Sequence, residues 1–153
     1  MHSVNKKVAD SVTDVTYIVM PNHTNPLGYL RGGMLMEWMD IAAEITAQKH
    51  GHCVALTASI DSVSFDGPIK SGDTVYIRAC ITRAFNTSME IFVEAWASSL
   101  PDMKMYKTND AIFTFVAINE SGKPVKVPSL EIVTDEEKKR YDAALKRKEN
   151  RSK

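Results

Sequence analysis

The chain has 153 residues, of which 44% are hydrophobic, and this is enough to bury the core of one domain. Its 19 basic and 19 acidic residues give a formal net charge of zero, so no overall field attracts nucleic acid or a membrane surface. The sequence has two cysteines and no apolar run near ~20 residues, which argues against a disulfide scaffold and a membrane-spanning helix.

The N-terminal segment begins with a polar arm, residues 1–12, which lacks the apolar core of a signal peptide. Two cysteines are too few for a small secreted domain, so we expect them to be free thiols in a reducing compartment and the protein to be cytoplasmic. A first strand is predicted over residues 13–20, where TDVTYIVM combines β-branched and aromatic residues. Pro21 ends this strand and opens a loop that continues through Gly33.

One internal helix is predicted after this loop, from Met34 to about Gln48. Gly51 provides its stop signal. Apolar residues recur at spacings of three and four and define a helical face. They are Leu35, Trp38, Met39, Ala42 and Ile45.

From residue 52 to residue 118 the hydrophobic period changes to two, which predicts four strands. The first, residues 52–65, changes its apolar face near Asp61, which indicates a β-bulge or burial on both sides. The turn Asp66-Gly67-Pro68 ends it. The other three strands are predicted over residues 74–82, 89–97 and 106–118.

The C-terminal segment follows a turn at residues 119–123 and an extended linker marked by Pro124 and Pro128. A terminal helix is predicted over residues 135–150, with Thr134 or Asp135 as its cap. Residues 136–153 include eight Lys or Arg and four Asp or Glu. This composition is typical of a solvated surface helix, and binding of an anionic partner is the alternative.

These elements predict an α+β architecture in which a long, curved antiparallel sheet wraps around one central helix. Such a helix, apolar nearly all round, must be covered on more than one side. The arrangement resembles the hotdog fold, in which the edge strand and the open side of the helix need a partner, so we expect a dimer. We divide the chain into an arm (1–12), a single domain (13–130) and a basic helical tail (131–153).

Three glycines, Gly28, Gly32 and Gly33, immediately precede the predicted helix. The first N–H groups of a helix have no intrahelical acceptor, and bare backbone lets an oxygen approach them closely. A polarised carbonyl oxygen that develops into an oxyanion would suit this position. The alternative is structural: a turn that needs positive φ, and close packing of the helix end.

Two polar side chains near these glycines are candidates for chemistry. Asp40, two helical turns after Gly33, can serve as a general base or a nucleophile, or it can belong to a polar stripe on the wet face of the helix. Asn25 can orient a water or a carbonyl, or it can cap a turn. The other members of the stripe are Glu37, Glu44 and Gln48.

The histidines give no metal-ligand spacing, so no metal site is predicted. His50 and His52 flank the glycine that ends the helix and are expected at the surface. His23 would be catalytic only if the protein were a dehydratase. The serines lack the context of a nucleophile elbow.

Several motifs in this order resemble the acyl-CoA thioesterases of the hotdog superfamily, in the branch of brain acyl-CoA hydrolase and its single-domain bacterial relatives. Around the helix start they are Asn25, Gly28, Gly32-Gly33 and Met39-Asp40. Further along they are TASIDSVSFDGPIKSGD (57–73), SMEIFVEAW (88–96), DAIFTFVAI (110–118) and the basic tail DEEKKRYDAALKRK (135–148). The resemblance covers about residues 13–148.

This resemblance implies hydrolysis of fatty acyl-CoA to free acid and CoA. Asp40 would activate water or attack the thioester directly, and both routes stay open. Asn25 of the partner subunit would orient the reacting groups, and the N–H of Gly33 would bind the carbonyl oxygen. No cofactor is implied, because CoA is part of the substrate.

The residues that bind CoA are less evident from the resemblance. Relatives commonly carry His or Phe where this chain has Arg31, and often Arg or Lys where it reads Asn86-Thr87. The candidates for CoA contact are Gly32, Arg31, Thr87, Ser88 and Arg83, with Lys107 as a further basic residue.

The resemblance also implies assembly into dimers and further into a homohexamer. The neutral net charge predicts no nucleic-acid or membrane partner. Two rival functions stay open: an enoyl- or hydroxyacyl-thioester dehydratase, and a non-catalytic acyl-CoA-binding or regulatory hotdog protein. The preferred acyl chain length does not follow from the sequence.

Overall fold

Five antiparallel strands form the main sheet of the computed structural model, which describes residues 6–151. They are β2 (Thr13–Ile18), β3 (Val54–Phe65), β4 (Thr74–Ala84), β5 (Ser88–Ser98) and β6 (Tyr106–Ile118), and their order across the sheet is β2-β4-β5-β6-β3. Two helices, α1 (Gly32–Gly51) and α2 (Asp135–Arg151), lie on opposite faces of this sheet. Short β1 (Lys6–Lys7) and β7 (Leu130–Glu131) pair in parallel. Residues 1–5 of the predicted arm and 152–153 of the predicted tail lie outside the described residues.

Helix α1 fills the inner face of the sheet and contacts all five of its strands. Small buried residues on the helix let the backbone of the strands approach closely, and large ones fill the remaining space. On β5 the inward residues alternate with residues on the outer face, of which Glu90 and Glu94 are charged and Phe92 and Trp96 are aromatic. The buried set includes Met39, Ala42, Ala43 and Ala47 on the helix and Met89, Ile91, Val93 and Ala95 on β5. The predicted α+β hotdog architecture is confirmed.

The observed boundaries differ from the predicted ones at the start of α1. The helix begins at Gly32, two residues earlier than predicted, because Arg31 in an extended conformation serves as the N-cap. The predicted bulge near Asp61 is confirmed by a register shift between Asp61 and Ser64, and Ser62 there has a φ of 53°. A second shift, between Thr57 and Ser59, follows no sequence signal.

Strand β3 is an edge strand with an unusually apolar surface. Its outer edge pairs with no strand among the described residues, while its inner edge pairs with β6. The side chains of Val54, Leu56 and Phe65 are all more than half exposed. A long, apolar, unpaired edge is a template for pairing with another chain.

Helix α2 is docked by a buried ion pair and is more than a solvated helix. The carboxylate of Glu90 on β5 is fully buried, and Arg147 of α2 reaches it with two N–H groups, one donating over 3.0 Å to Oε2. Thr82 also donates to Glu90, over 2.7 Å. Since a buried charge needs such partners, this contact fixes α2 on the outer face.

His50 is fully buried, so its expected surface position is wrong. Its ring Nε2 lies 2.8 Å from the carbonyl oxygen of Pro128, and the ammonium of Lys6 donates over 2.7 Å to the His50 backbone oxygen. The linker at Pro128 and the β1 strand thus return to cover the end of α1. No local sequence pattern reveals that return.

Burial lowers the pKa of His50 below its ordinary 6.5, and the nearby charge of Lys6 lowers it further, against the raising effect of the Pro128 hydrogen bond. The unfolded chain therefore takes up a proton at His50 below about pH 6.5 while the folded chain does not, and stability falls as the pH drops through this range. We expect the urea midpoint to fall between about pH 7.5 and 5.5, and to fall less in His50→Gln. His52→Gln is the matched control, and equal pH dependence in all three proteins would contradict this assignment.

Candidate active site

The loop before α1 is held in place by the side chain of Asn25. The Oδ1 atom of Asn25 accepts hydrogen bonds from the N–H groups of Leu27 (2.9 Å) and Tyr29 (3.1 Å). Gly28 has a φ of 82°, which this turn requires and which favours glycine. The turn-capping interpretation of Asn25 is therefore correct for its oxygen. Its Nδ2 amide group has no partner within residues 6–151 and stays available as a donor.

Gly32 and Gly33 form the first turn of α1, and neither has a positive φ. A Cβ atom built at Gly33 meets nothing within 4 Å, and one at Gly32 meets only the ring of Phe65, at 3.9 Å. Neither backbone conformation nor packing within the chain therefore requires glycine here. What remains distinctive is exposed backbone at a helix N-terminus, where N–H groups lack intrahelical acceptors.

Asp40 lies on the part of α1 that the sheet does not cover, and it is half-buried. Its Oδ1 accepts a hydrogen bond of 2.7 Å from the hydroxyl of Thr57 on β3. Its other oxygen has no partner among the residues that the structure describes. The polar stripe also exists, since Gln48 donates to Glu44 over 3.4 Å. Asp40 is thus both a member of the stripe and a carboxylate oriented by a hydroxyl.

Thr57 is the site residue that sequence reasoning missed. It sits in an alternating strand where a threonine is ordinary, so its type gives no signal. Only the packing of β3 along α1 brings its hydroxyl to Asp40.

The candidates fall into two groups within one chain. Asn25, Gly32 and Gly33 lie together at the N-terminal end of α1. Asp40 is seven residues further along, and a helix rises by about 1.5 Å per residue, so the separation along the axis is about 10 Å. A carboxylate at that distance does not reach a carbonyl held at the helix N-terminus of its own chain.

The predicted CoA contacts are also dispersed. Thr87 and Ser88 lie where the turn from β4 enters β5. The strand β5 has 11 residues, so its two ends are about 33 Å apart. The far end is the one near the glycines, since Gly28 accepts from the N–H of Ser71. Thr87 and Ser88 are therefore remote from Gly33 in the same chain.

The basic candidates differ in what they already contact. The guanidinium of Arg83 donates to the backbone oxygen of Tyr141 and lies over its ring, 3.8 Å from the centroid. Lys107 pairs with Asp110 over 2.6 Å. Arg31 is exposed beside the glycine turn and donates over 3.3 Å to the oxygen of Asn22. These assignments stay predictions.

His23, the candidate base of a dehydratase, is used within the fold. Its Nδ1 accepts from the N–H of Met20 over 3.0 Å, and its ring meets Trp38 edge-on. Within residues 6–151, no three His, Cys, Asp or Glu side chains group closely enough to hold a metal ion. Neither α1 nor α2 is long and apolar enough to cross a membrane.

A central helix covered on one side by five long antiparallel strands is the architecture of the hotdog fold. A family model described as the thioesterase superfamily matches residues 27–103. This is half of the chain, and the chain belongs to the thioesterase superfamily.

Named relatives and solved structures agree with this family. The chain is 36% identical over 137 residues to the cytosolic acyl coenzyme A thioester hydrolase of Rattus norvegicus, covering 88% of this chain. It is 39% identical to an apo-hexameric acyl-CoA thioesterase, with a TM-score of 0.91 and 96% of each chain covered. It is 36% identical to an acyl-CoA hydrolase from Staphylococcus aureus solved with butyryl-CoA, with a TM-score of 0.89 over 97% of this chain and 91% of that one.

The relatives differ from this chain in length, and one of them has been solved in several variants. The chain spans only 23% to 36% of the length of the first mammalian relatives it matches. Structures of the S. aureus hydrolase include variants in which an asparagine, an aspartate and a threonine are separately replaced by alanine.

Gly33→Ala tests whether bare backbone at this turn serves a ligand. Because the added methyl group has room and alanine favours helix, we expect unchanged or slightly increased stability, by up to about 1 kcal/mol. Thioester hydrolysis should fall by about tenfold or more, since the methyl group obstructs approach to the N–H donors. Thermal unfolding and a thiol-release assay measure the two effects. Full activity in the variant would contradict a role for the Gly33 N–H in binding the carbonyl oxygen.

Proposed function

We propose that this protein hydrolyses fatty acyl-CoA thioesters to free fatty acid and CoA. The observation that carries the proposal is the Asp40 carboxylate, which Thr57 holds by one oxygen on the open side of α1, while the other oxygen has no partner within residues 6–151. The three residues replaced in the S. aureus hydrolase are spaced by 15 and 17 positions. Asn25, Asp40 and Thr57 have the same spacing here, which supports assigning all three to one reaction.

Each active site is formed by two chains in this proposal. The axial separation of about 10 Å between Gly33 and Asp40 prevents one helix from supplying both groups. Antiparallel pairing of β3 with its copy would satisfy the open edge and set the two α1 helices side by side in opposite directions. A two-fold axis midway between the levels of Gly33 and Asp40 then places each helix N-terminus opposite the partner's Asp40.

The N–H groups of Gly32 and Gly33 bind the thioester oxygen in this arrangement. The positive end of the α1 dipole favours the charge that develops on that oxygen, and such donors contribute about 3 kcal/mol to lowering the barrier. The Nδ2 amide of Asn25 in the same chain donates to the attacking water or to the carbonyl. These groups act together because the Asn25 oxygen fixes the loop that precedes the helix.

The partner's Asp40 supplies the base or the nucleophile. As a base, it takes a proton from water while the water oxygen bonds to the carbonyl carbon, and the tetrahedral oxyanion then collapses and expels the CoA thiolate. As a nucleophile, it attacks the carbonyl carbon and displaces the CoA thiolate, which gives an anhydride that water subsequently hydrolyses to the free acid and the aspartate. In both routes Thr57 holds one carboxylate oxygen so that the other faces the reacting carbon.

The CoA moiety would be bound by groups from both chains. Antiparallel pairing of β3 brings the partner's Thr87 and Ser88 toward the end of the sheet that carries Gly32 and Arg31. Arg31 is the most available cation for the phosphates, because Arg83 is already held against Tyr141. Hydrolysis in this scheme uses water and no cofactor.

Location and assembly follow from the same proposal. A cytoplasmic enzyme agrees with the cytosolic designation of the rat relative. A homohexamer built from dimers agrees with the solved hexameric acyl-CoA thioesterase.

Asp40→Asn distinguishes catalysis from simple acyl-CoA binding. The amide is nearly isosteric and keeps an oxygen for Thr57, so the fold and CoA affinity should persist. It neither accepts the proton nor attacks the carbonyl, so the turnover number should fall by at least ~100-fold. Thiol release from acyl-CoAs of increasing length and calorimetric CoA binding check the two expectations.

The matched control is Glu44→Gln, which changes a carboxylate one turn along the same helix and should keep its activity. Undiminished turnover in Asp40→Asn would remove Asp40 from the mechanism. Normal CoA binding with no turnover in the unsubstituted protein would favour the non-catalytic function.

A further inference from the structure

The last residue of β3, Phe65, presents an exposed aromatic ring beside the first turn of α1. Its side chain is 56% exposed, and its Cε1 atom lies 3.9 Å from the position that a Cβ atom at Gly32 would occupy. Phe65 pairs with Asn109, whose buried amide donates to the sulfur of Met39 on α1. Residues directly opposite each other in a sheet project to the same face, so the ring of Phe65 points to the side that carries α1.

The backbone on both sides of this ring is held by hydrogen bonds of the sheet. Phe65 itself belongs to the β3–β6 pairing, and the N–H of Asp66 donates to the carbonyl oxygen of Thr108 over 2.6 Å. The ring is therefore presented from a fixed strand end. An apolar side chain that is held in place and still largely exposed marks a surface that another molecule covers.

Phe65 and Thr57 mark two levels on β3 that correspond to two levels on α1. Phe65 lies beside Gly32, and Thr57 is hydrogen-bonded to Asp40. The two-fold axis proposed for the dimer brings each Gly33 opposite the partner's Asp40, so it also brings each Phe65 opposite the partner's Thr57. The ring then forms a wall of the space between the N–H donors of one chain and the carboxylate of the other.

Ile60 continues this wall between the two levels. It is 39% exposed, and it pairs with Phe113, which is fully buried on the side of α1. The side chains of Phe65 and Ile60 offer no hydrogen-bond donor or acceptor. The pantetheine arm of CoA contains amide groups that need such partners, whereas the acyl chain is wholly apolar. The wall is therefore matched to the acyl chain.

We propose that the ring of Phe65 contacts the methylene groups next to the thioester and makes this residue a determinant of acyl-chain preference. The assignment rests on the proposed function, because it locates the acyl part of the same site. Each methylene group buried against an apolar wall strengthens binding by about fourfold. Affinity should therefore rise with chain length over the methylene groups that the ring covers.

The test compares octanoyl-CoA with CoA alone as ligands of Asp40→Asn, in which binding is expected without hydrolysis. Titration calorimetry gives both dissociation constants, and we expect octanoyl-CoA to bind at least ~10-fold more tightly than CoA. Adding Phe65→Ala should lower this ratio by about tenfold and leave the dissociation constant of CoA itself unchanged. Adding Phe65→Leu, which shortens the side chain but keeps it apolar, should lower the ratio by about threefold.

Leu56→Ala in the same background is the matched control. Leu56 is 54% exposed on the same strand, but it precedes Thr57 and so projects to the other face of the sheet. The ratio of the two dissociation constants should not change in this variant. Circular dichroism and light scattering check that each variant keeps its fold and its mass, and Phe65→Leu decides the matter if Phe65→Ala does not fold.

Three outcomes would overturn the role of Phe65. The first is a folded Phe65 variant with an unchanged ratio, and the second is an equal loss of affinity for CoA and octanoyl-CoA, which would place the ring against the CoA moiety. The third is an Asp40→Asn protein that binds octanoyl-CoA no more tightly than CoA. Thiol release by the unsubstituted protein tests hydrolysis separately. Binding that depends on Phe65 without any thiol release would contradict the proposed function and still support this acyl-chain contact.

Discussion

The rigidity of helix α1 is the constraint on which the proposed site depends. A helix cannot shorten the axial distance between its own residues, so the exposed N–H groups at Gly33 and the carboxylate of Asp40 stay about 10 Å apart in every chain. In the proposed mechanism, one chain therefore presents two incomplete halves of a hydrolytic site. A second helix running in the opposite direction is the simplest way to bring an N-terminus to a carboxylate, and the open edge of β3 is where such a helix can be placed.

The rest of the fold keeps these halves in position. The five strands bury one side of α1 and leave the side with Asp40 open, and Thr57 on the edge strand fixes the carboxylate. Helix α2 stabilises the opposite face of the sheet through the buried Glu90–Arg147 pair. The proposed chemistry thus lies on the side of the sheet with α1, and the ion pair lies on the side with α2. Replacement of Arg147 would leave Glu90 as an uncompensated buried charge.

The sequence predicted the elements that local hydrophobic periodicity encodes. Alternation gave the strands and spacings of three and four gave α1, and the bulge near Asp61 was visible because the apolar face changes there. What it missed are contacts between segments far apart in the chain, such as Thr57 with Asp40, Arg147 with Glu90, and the linker over His50. In each case the residue types are ordinary in their own segments, and only the folded chain brings them together.

The central claim, that two chains complete each site, is tested most directly by mixing two inactive variants. Asn25→Ala and Asp40→Ala are each expected to be inactive, since every site in either homodimer lacks one group. Co-expression and random pairing make half of the dimers mixed, and each mixed dimer holds one intact site, so about one quarter of the unsubstituted activity per chain should return. A mixture that stays as inactive as its two components would contradict the account.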